Sequence, residues 1–258
     1  MSFSRKFLKI ANSLVSFVVL LALFIFGSYA AYALWDNQQI YSAVTDAKAD
    51  MLKLKPELSD EKSGPSFEEL LKINPDVCAW LTLDGTEIDY PIVQGADNLQ
   101  YINADVYGNF SLSGSIFLDT RSSRDFSDTY SLLYGHHMAN HLMFGDLDLY
   151  KDAVFFDENT TGTLILPGGV YDLEIFACLL AKSTDSILFN PTRWKADNIQ
   201  QMLEHASASA LHVRTSVVDV LKEDDGVRIL AMSTCSSEHA DARTIILAAI
   251  TPASGSDT

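Results

Sequence analysis

The chain has 258 residues, of which 34 are acidic and 18 are basic, so its formal net charge is −16 at pH 7. A surface this acidic excludes nucleic acid as an expected partner, because binding to phosphates depends on clustered Lys and Arg. The simplest role of the charge is solubility. The three cysteines, Cys78, Cys178 and Cys235, are too few for the disulfide framework of an exported protein, and no Cys or His spacing is typical of a metal site.

The N-terminal segment has the pattern of a membrane anchor. Residues 14-34 are apolar and uncharged, and about 20 such residues cross a bilayer as a helix. Three basic residues precede this segment, which predicts a cytoplasmic N-terminus and an extracellular remainder. A cleaved signal peptide is the alternative, with Ala31-Tyr32-Ala33 as its cleavage site. Because a typical signal is shorter, residues 1-35 are predicted to form the cytoplasmic N-terminus and a single transmembrane anchor in the cell membrane.

The next segment, residues 36-65, is predicted to contain a juxtamembrane helix followed by a linker. Apolar residues spaced through 38–55 indicate the helix, and the polar sequence that follows, "KPELSDEKSGPS", is typical of a linker. Ser66 and Glu69 then form a capping-box pattern, which predicts a short helix. That helix should end at Ile73, because Asn74-Pro75 follows it.

From residue 77 onward the pattern changes to short apolar segments separated by turns. The segments 77–83 and 87–93 flank Asp84-Gly85-Thr86, which predicts a β-hairpin. Further strands are predicted at 115–119, 131–136, 162–166, 170–181, 227–234 and 244–251. Many short strands with intervening turns predict a mainly β protein built as a closed or nearly closed β-barrel. The last residues, 253-258, are predicted to be a disordered tail.

One helix is predicted to interrupt the strands, over residues 190–208. Asn190 is a plausible N-cap, and Pro191 suits the first helical position. Four apolar residues fall on one face of this helix: Ile199, Met202, Leu203 and Ala206. The helix is therefore expected to pack on the outside of the barrel, before the penultimate strand.

Cys235 differs from the other two cysteines because it ends an apolar segment and precedes a polar loop. The other two lie inside apolar segments, where a thiol is usually a small buried hydrophobic group. A nucleophilic thiol needs a nearby base. Of the six histidines, His136 follows Gly135 at the end of a strand, whereas His239 is four residues from the thiol in a loop. The residues alone leave two alternatives open for His136: a catalytic pair with Cys235, or a local hydrogen bond and no catalytic role.

These motifs together resemble the sortases, and class B in particular. The resemblance rests on "LLYGHHM", on "STC" at a strand end, on an arginine opening the next strand, and on the stretches "INPDVCAWLTLDGTEIDYPIVQGADNLQYIN" and "GSIFLD". It covers Phe67 to Thr251 and implies a sortase-type barrel with N-terminal helices, in a catalytic domain of residues 66-252. One departure is that the usual Thr-Leu-x-Thr-Cys is Ala231-Met232-Ser233-Thr234-Cys235 here.

The resemblance implies a catalytic residue set and a substrate pocket. Cys235 would be the nucleophile, His136 the acid and base because it directly follows the glycine, and Arg243 the third member. The looser part of the alignment implies substrate-binding roles for Asn98, Ile102, Thr184, Leu188 and Ser233. The implied chemistry requires no cofactor and no metal.

The implied reaction is transpeptidation. The thiol would cleave a C-terminal sorting signal of a secreted protein after its threonine, and an amine of a peptidoglycan precursor or a pilin would resolve the acyl-thioester. Two alternatives are an exported cysteine peptidase, which would use the same residues to hydrolyse its substrate, and a non-catalytic β-barrel scaffold. The complete residue set favours an enzyme.

Overall fold

A computed structural model describes residues 2–56, 67–224, 226–235 and 242–253, without the side chains of residues 2–6 and Cys235. The chain divides into two compact units, Met1–Asp46 and Ala47–Thr258. Helix α1 runs from Ser2 to Leu52. Within the described residues it is the one helix long and apolar enough to cross a membrane, with a mean hydropathy of 2.4. The predicted anchor segment therefore lies inside a single continuous helix.

Helix α2 spans Phe67–Ile73 and ends where the sequence predicts, before Asn74. The side chain of Asn74 is buried and donates hydrogen bonds to the hydroxyl of Tyr101 and the carbonyl of Val106, so it fixes the end of the helix to the barrel. The predicted linker, the capping serine at residue 66 and most of the predicted C-terminal tail lie outside the described residues.

The second unit contains a mixed β-barrel. The described strands are β1 (Val77–Leu83), β2 (Asp89–Val93), β3 (Ile116–Leu118), β4 (Tyr130–Tyr134), β5 (Thr161–Leu166), β6 (Gly169–Lys182), β7 (Ala210–Val213), β8 (Ile229–Cys235) and β9 (Ala242–Pro252). They pair in the order β5-β1-β2-β3-β4-β8-β9-β6-β7, and β5 also pairs with β6. That extra pairing closes the barrel through β6, and β7 extends the sheet from the same strand. The predicted closed, mainly β fold is confirmed.

The predicted β-hairpin forms between β1 and β2, which are antiparallel. Its turn is longer than the sequence suggests, because β2 begins at Asp89 rather than at residue 87. Gly85 has a φ of 75°, a conformation that favours glycine. Strand β4 likewise ends at Tyr134, so His136 lies just beyond the strand rather than inside it.

The predicted helix over residues 190–208 is divided in the structure. A short 3-10 helix covers Pro191–Arg193, and the α-helix proper, α4, runs from Ile199 to Ser209. Asn190 and Pro191 take the predicted N-cap and first helical positions, but of the short 3-10 helix, and the side chain of Asn190 makes no capping bond. Between the two pieces, Trp194 has extended backbone geometry, and its buried indole donates to the carbonyl of Ile187 at 2.8 Å. The predicted apolar face of α4 is confirmed as buried.

The sequence analysis missed two pairs of elements. A 3-10 helix (Gly145–Lys151) and α3 (Ala153–Glu158) connect β4 to β5. Strand β7 and helix α5 (Thr215–Lys222) follow α4, so α4 precedes the penultimate strand with these two elements in between. Helices α4 and α5 bury their apolar faces in a core shared with β4, β6, β8 and β9.

Candidate active site

The three predicted catalytic positions lie at or just beyond the ends of three neighbouring strands. Strands β4 and β8 run parallel, with Tyr134 opposite Ser233. His136 follows Tyr134 by two residues, just beyond the end of β4. Strands β8 and β9 are antiparallel, with Cys235 directly opposite Arg243. His136 and Arg243 line the same cavity.

The backbone and ring of His136 are both held in place. The amide of Gly135 donates to the carbonyl of Ser233 at 3.2 Å, and the amide of Phe144 donates to the carbonyl of His136 at 3.0 Å. A Cβ on Gly135 would lie 2.6 Å from the ring of Phe144, so only glycine allows this close approach. The ring nitrogen Nε2 of His136 lies 2.8 Å from the carbonyl of Ile102. Because a carbonyl only accepts, Nε2 carries the proton in this arrangement.

A cavity of about 310 Å³ opens beside these residues. Aromatic rings form much of its wall: Tyr134 packs against Phe117 with ring centres 5.4 Å apart and stacks on Phe189 at 6.5 Å. The cavity is lined by Ile102, Phe117, Tyr134, Gly135, His136, Ser183, Phe189, Ser233, Thr234 and Arg243. The site thus combines an apolar wall with an imidazole, hydroxyls and a guanidinium, a combination that is typical of ligand-binding cavities.

The guanidinium of Arg243 is half-buried, and its Nη1 donates to the carbonyl of Ala242 at 3.0 Å. That bond to its own strand restricts the orientation of the planar group. The side chain of Cys235 and the loop containing His239 lie outside the described residues, so the pairing of the thiol with a particular histidine stays a prediction. The predicted burial of Cys78 and Cys178 is confirmed, and burial raises the pKa of the Cys78 thiol to about 12.

Four other histidines have their own partners. His137 lies 3.1 Å from Asp148, His141 lies 2.6 Å from Asp146, His205 lies 3.0 Å from Asp185, and His212 donates to the carbonyl of Lys151 at 2.8 Å. Of the five described histidines, His136 is the one among the groove-lining residues.

The predicted substrate-binding residues differ in where the structure places them. Ile102 and Ser233 line the groove. Thr184 is exposed and Leu188 is buried in the core, and the residues that line the groove at this point are their neighbours Ser183 and Phe189. Strand spacing could not reveal this offset, because both positions lie in an irregular loop after β6.

Asn98 has a different setting from the one that the sequence suggests. Its amide donates to the carboxylate of Asp119 at 3.1 Å and accepts from the backbone of Thr120 at 2.8 Å. The side chain therefore supports the groove wall from behind, and it is not among the described residues that line the cavity.

A buried carboxylate organises this wall, and the sequence analysis missed it. Asp119 is fully buried and accepts two bonds from Arg121, at 2.9 and 2.7 Å, and one from the hydroxyl of Tyr134 at 3.2 Å. Arg121 also donates to the carbonyl of Phe189 at 3.0 Å. Burial alone would raise the pKa of Asp119, but the hydrogen bonds and the charge of Arg121 hold it below its usual value. The Asp-Thr-Arg sequence gave no signal beyond two charges near a strand end.

Comparison with known proteins identifies the family to which this chain belongs. No family model matches the chain. Sortase B of Listeria monocytogenes is 31% identical over 228 residues, which cover 86% of this chain and 88% of that protein. A class B sortase of Streptococcus pyogenes involved in pilus biogenesis is 41% identical. The match covers 71% of this chain and 97% of that protein's chain, with a TM-score of 0.65. Sortase B of Clostridium perfringens is 30% identical, with 72% and 99% coverage and a TM-score of 0.65.

The barrel and the relatives that share it indicate a cysteine transpeptidase. The identity to these relatives is about 30% or more over most of the chain. The chain belongs to the sortase B family.

Proposed function

We propose that this protein is a membrane-anchored transpeptidase in which Cys235, His136 and Arg243 carry the reaction. The observation that supports this most directly is the pairing of Cys235 with Arg243 across β8 and β9, together with the cavity that His136 and Arg243 both line. Residues 1-35 would hold the enzyme in the membrane, and residues 66-252 would form the catalytic domain outside the cell. Sorting signals and amine acceptors both arrive at that face of the membrane.

The proposed reaction has two stages. The Cys235 thiolate attacks the carbonyl carbon of the threonine of a sorting signal, and the guanidinium of Arg243 donates to the developing oxyanion. His136 gives a proton to the leaving amine as the C–N bond breaks. The acyl-thioester that remains is attacked by a second amine, which loses a proton to the imidazole of His136 as the Cys235 thiolate leaves. The product is a new amide bond.

The groove offers contacts for the residues of the sorting signal that precede the cleaved bond. The hydroxyls of Ser233 and Thr234 are buried and have no hydrogen-bond partner among the described residues. A buried unsatisfied polar group costs about 1–3 kcal/mol, so a bound peptide backbone that reaches the hydroxyl of Ser233 would recover that energy. Ile102 and the aromatic wall supply apolar contact area for the neighbouring side chains of the peptide.

The amine acceptor is proposed to be a cell-wall precursor or a pilin subunit. The Streptococcus pyogenes relative, at 41% identity, is involved in pilus biogenesis, which favours a pilin. The groove itself recognises the acyl donor and does not distinguish between the two acceptors.

The test is a mass spectrum of the full chain, in detergent, after incubation with a library of peptides that vary around a threonine. We expect an adduct on Cys235 equal in mass to the N-terminal part of one peptide class. The variant Cys235→Ala is the control and should carry no adduct. Addition of hydroxylamine should then release a peptide hydroxamate. Release of the free acid alone at saturating hydroxylamine would identify a hydrolase, and no adduct with any peptide would refute the proposal.

A further inference from the structure

One carboxylate behind the groove contacts the neighbours of two proposed catalytic residues. Asp148 lies on the 3-10 helix Gly145–Lys151. One of its oxygens lies 3.1 Å from Nε2 of His137, and the other accepts a 2.7 Å hydrogen bond from the hydroxyl of Thr244. His137 directly follows His136, and Thr244 directly follows Arg243. The same carboxylate therefore connects the two sides of the proposed site.

The segment that carries Asp148 is fixed by bonds of its own. Lys151 forms an ion pair with the carboxylate at 2.8 Å, and the backbone carbonyl of Lys151 accepts from His212 on β7 at 2.8 Å. Just beyond, the side chain of Asp152 caps α3 by accepting from the amide of Phe155 at 3.0 Å. These bonds do not involve residues that line the groove. They therefore hold Asp148 in place independently of His136 and Arg243.

The hydrogen bond from Thr244 to Asp148 has a charged acceptor. Thr244 is fully buried on β9, and a hydroxyl that donates to a carboxylate makes a shorter and stronger bond than one between neutral groups. Burial alone would raise the pKa of Asp148, but the hydrogen bonds from Lys151 and Thr244 hold it below its usual value. The carboxylate is therefore ionised at neutral pH and acts only as an acceptor.

Adjacent residues on a strand point to opposite sides, and this explains how one carboxylate can act on the groove without touching it. Arg243 lines the groove, whereas Thr244 points to Asp148. Any shift of Thr244 along or around the strand therefore moves Arg243. His137 lies beyond the end of β4, but it directly follows His136 in the chain, so a bond from the carboxylate to its ring also restricts the position of His136.

We propose that Asp148 is a positioning residue that holds His136 and Arg243 in register with each other by binding the residue that follows each of them. This role rests on the proposed function, because Asp148 acts only through those two residues. Its loss would leave the groove able to bind a sorting signal but would misplace the donors that act at the reacting carbonyl. The effect should therefore appear in kcat rather than in KM.

The test compares two substitutions of Thr244 in the full chain, using a peptide that the unaltered enzyme cleaves. Thr244→Val keeps the shape and removes the donor, and Thr244→Ser keeps the donor. We expect Thr244→Val to lower kcat about tenfold with KM within about twofold, since a misplaced donor costs less than the 10²–10³ of a lost one. Thr244→Ser should recover most of kcat. Thr251→Val, at the exposed end of the same strand, is the matched control and should match the unaltered enzyme.

Coupling to Arg243 separates positioning from a general loss of folded protein. A lower folded fraction would multiply the rates of all variants equally, whereas a positioning role makes Arg243→Lys less costly in the Thr244→Val background than alone. Unaltered kcat in Thr244→Val, or independent effects of the two substitutions, would overturn the proposal.

A second variant covers the case in which Thr244→Val gives no cooperative melting transition. His137→Leu removes the other donor from a half-buried loop position, and the same loss of kcat at constant KM is expected. Full activity of a folded His137→Leu would then overturn the proposal. Failure of the proposed function is distinguishable, because it would appear in the unaltered chain as the absence of a Cys235 adduct.

Discussion

Replacing Arg243 with lysine tests whether geometry or charge is the contribution of this residue. Arginine presents several donors in a fixed planar fork, whereas lysine offers a point charge on a flexible stem. In the structure one arm of the fork, Nη1, is held by the carbonyl of Ala242 at 3.0 Å, and the side chain lines the groove. The remaining donors are therefore already oriented before substrate binds, which a lysine ammonium cannot reproduce while making the same bond.

The size of the effect follows from the cost of an oxyanion donor. Loss of one preorganised donor lowers the rate by about 10²–10³, or about 2.7–4 kcal/mol. Lysine keeps the charge and part of this stabilisation, so we expect Arg243→Lys to lower kcat/KM by at least about tenfold, or about 1.4 kcal/mol. If the guanidinium acted only by lowering the thiol pKa through its charge, the loss would be close to zero.

The assay combines peptide cleavage, alkylation of Cys235 by iodoacetamide and thermal melting of the same preparation. We expect slow cleavage together with near-normal alkylation and an unchanged melting temperature. Arg193→Lys, at an exposed position in the 3-10 helix before α4, is the matched control. Near-native turnover of Arg243→Lys would refute the geometric argument, and a lowered melting temperature would assign the residue a structural role instead.

Four further outcomes are expected. Cys235 should react with thiol reagents far faster than the two buried cysteines, whose burial disfavours the thiolate; mass spectrometry of partly labelled protein checks this, and equal labelling would contradict it. His136→Ala should lower kcat/KM by about 10²–10⁴, as expected for a lost acid and base, whereas His137→Ala should cost about tenfold; equal losses would show that the wrong histidine was chosen. A chain without residues 1-35 should be soluble and give a β-rich circular dichroism spectrum, since the barrel strands all follow the anchor. The pKa of Asp119 is lowered in the folded state, so its stabilising effect is present above the carboxyl's unfolded pKa and is lost as pH falls through the folded value; urea unfolding of Asp119→Asn should show a weaker dependence on acidic pH than the unaltered chain.

Much of the fold could be predicted because its signals are local. The apolar segments between turns predicted all but one of the nine described strands within about two residues at most ends, and the Asp84-Gly85 turn predicted the first hairpin. The long apolar N-terminal helix and the burial of Cys78 and Cys178 follow from the same kind of pattern. These features depend on the sequence of a few neighbouring residues, which is why they can be predicted without the tertiary structure.

The proposed catalytic residues were found through a resemblance of short motifs rather than through geometry. The sequence around Cys235 left both His136 and His239 as candidates for the base. Only the order of motifs in the resemblance selected His136. The structure adds the pairing of Cys235 with Arg243 and the cavity shared by His136 and Arg243, which no single motif contains.

The tertiary structure alone decided the groove wall and its supports. Phe189 rather than Leu188 lines the groove, because the loop after β6 is irregular and a shift of one residue changes which side chain faces inward. The division of the predicted helix into two pieces, at Pro191–Arg193 and Ile199–Ser209, was also not predicted from the apolar pattern. Asp119 and Asp148 each gather partners from distant parts of the chain, such as Tyr134 and Thr244. Sequence spacing carries no information about such contacts, because closure of the barrel, and not the local chain, brings these residues together.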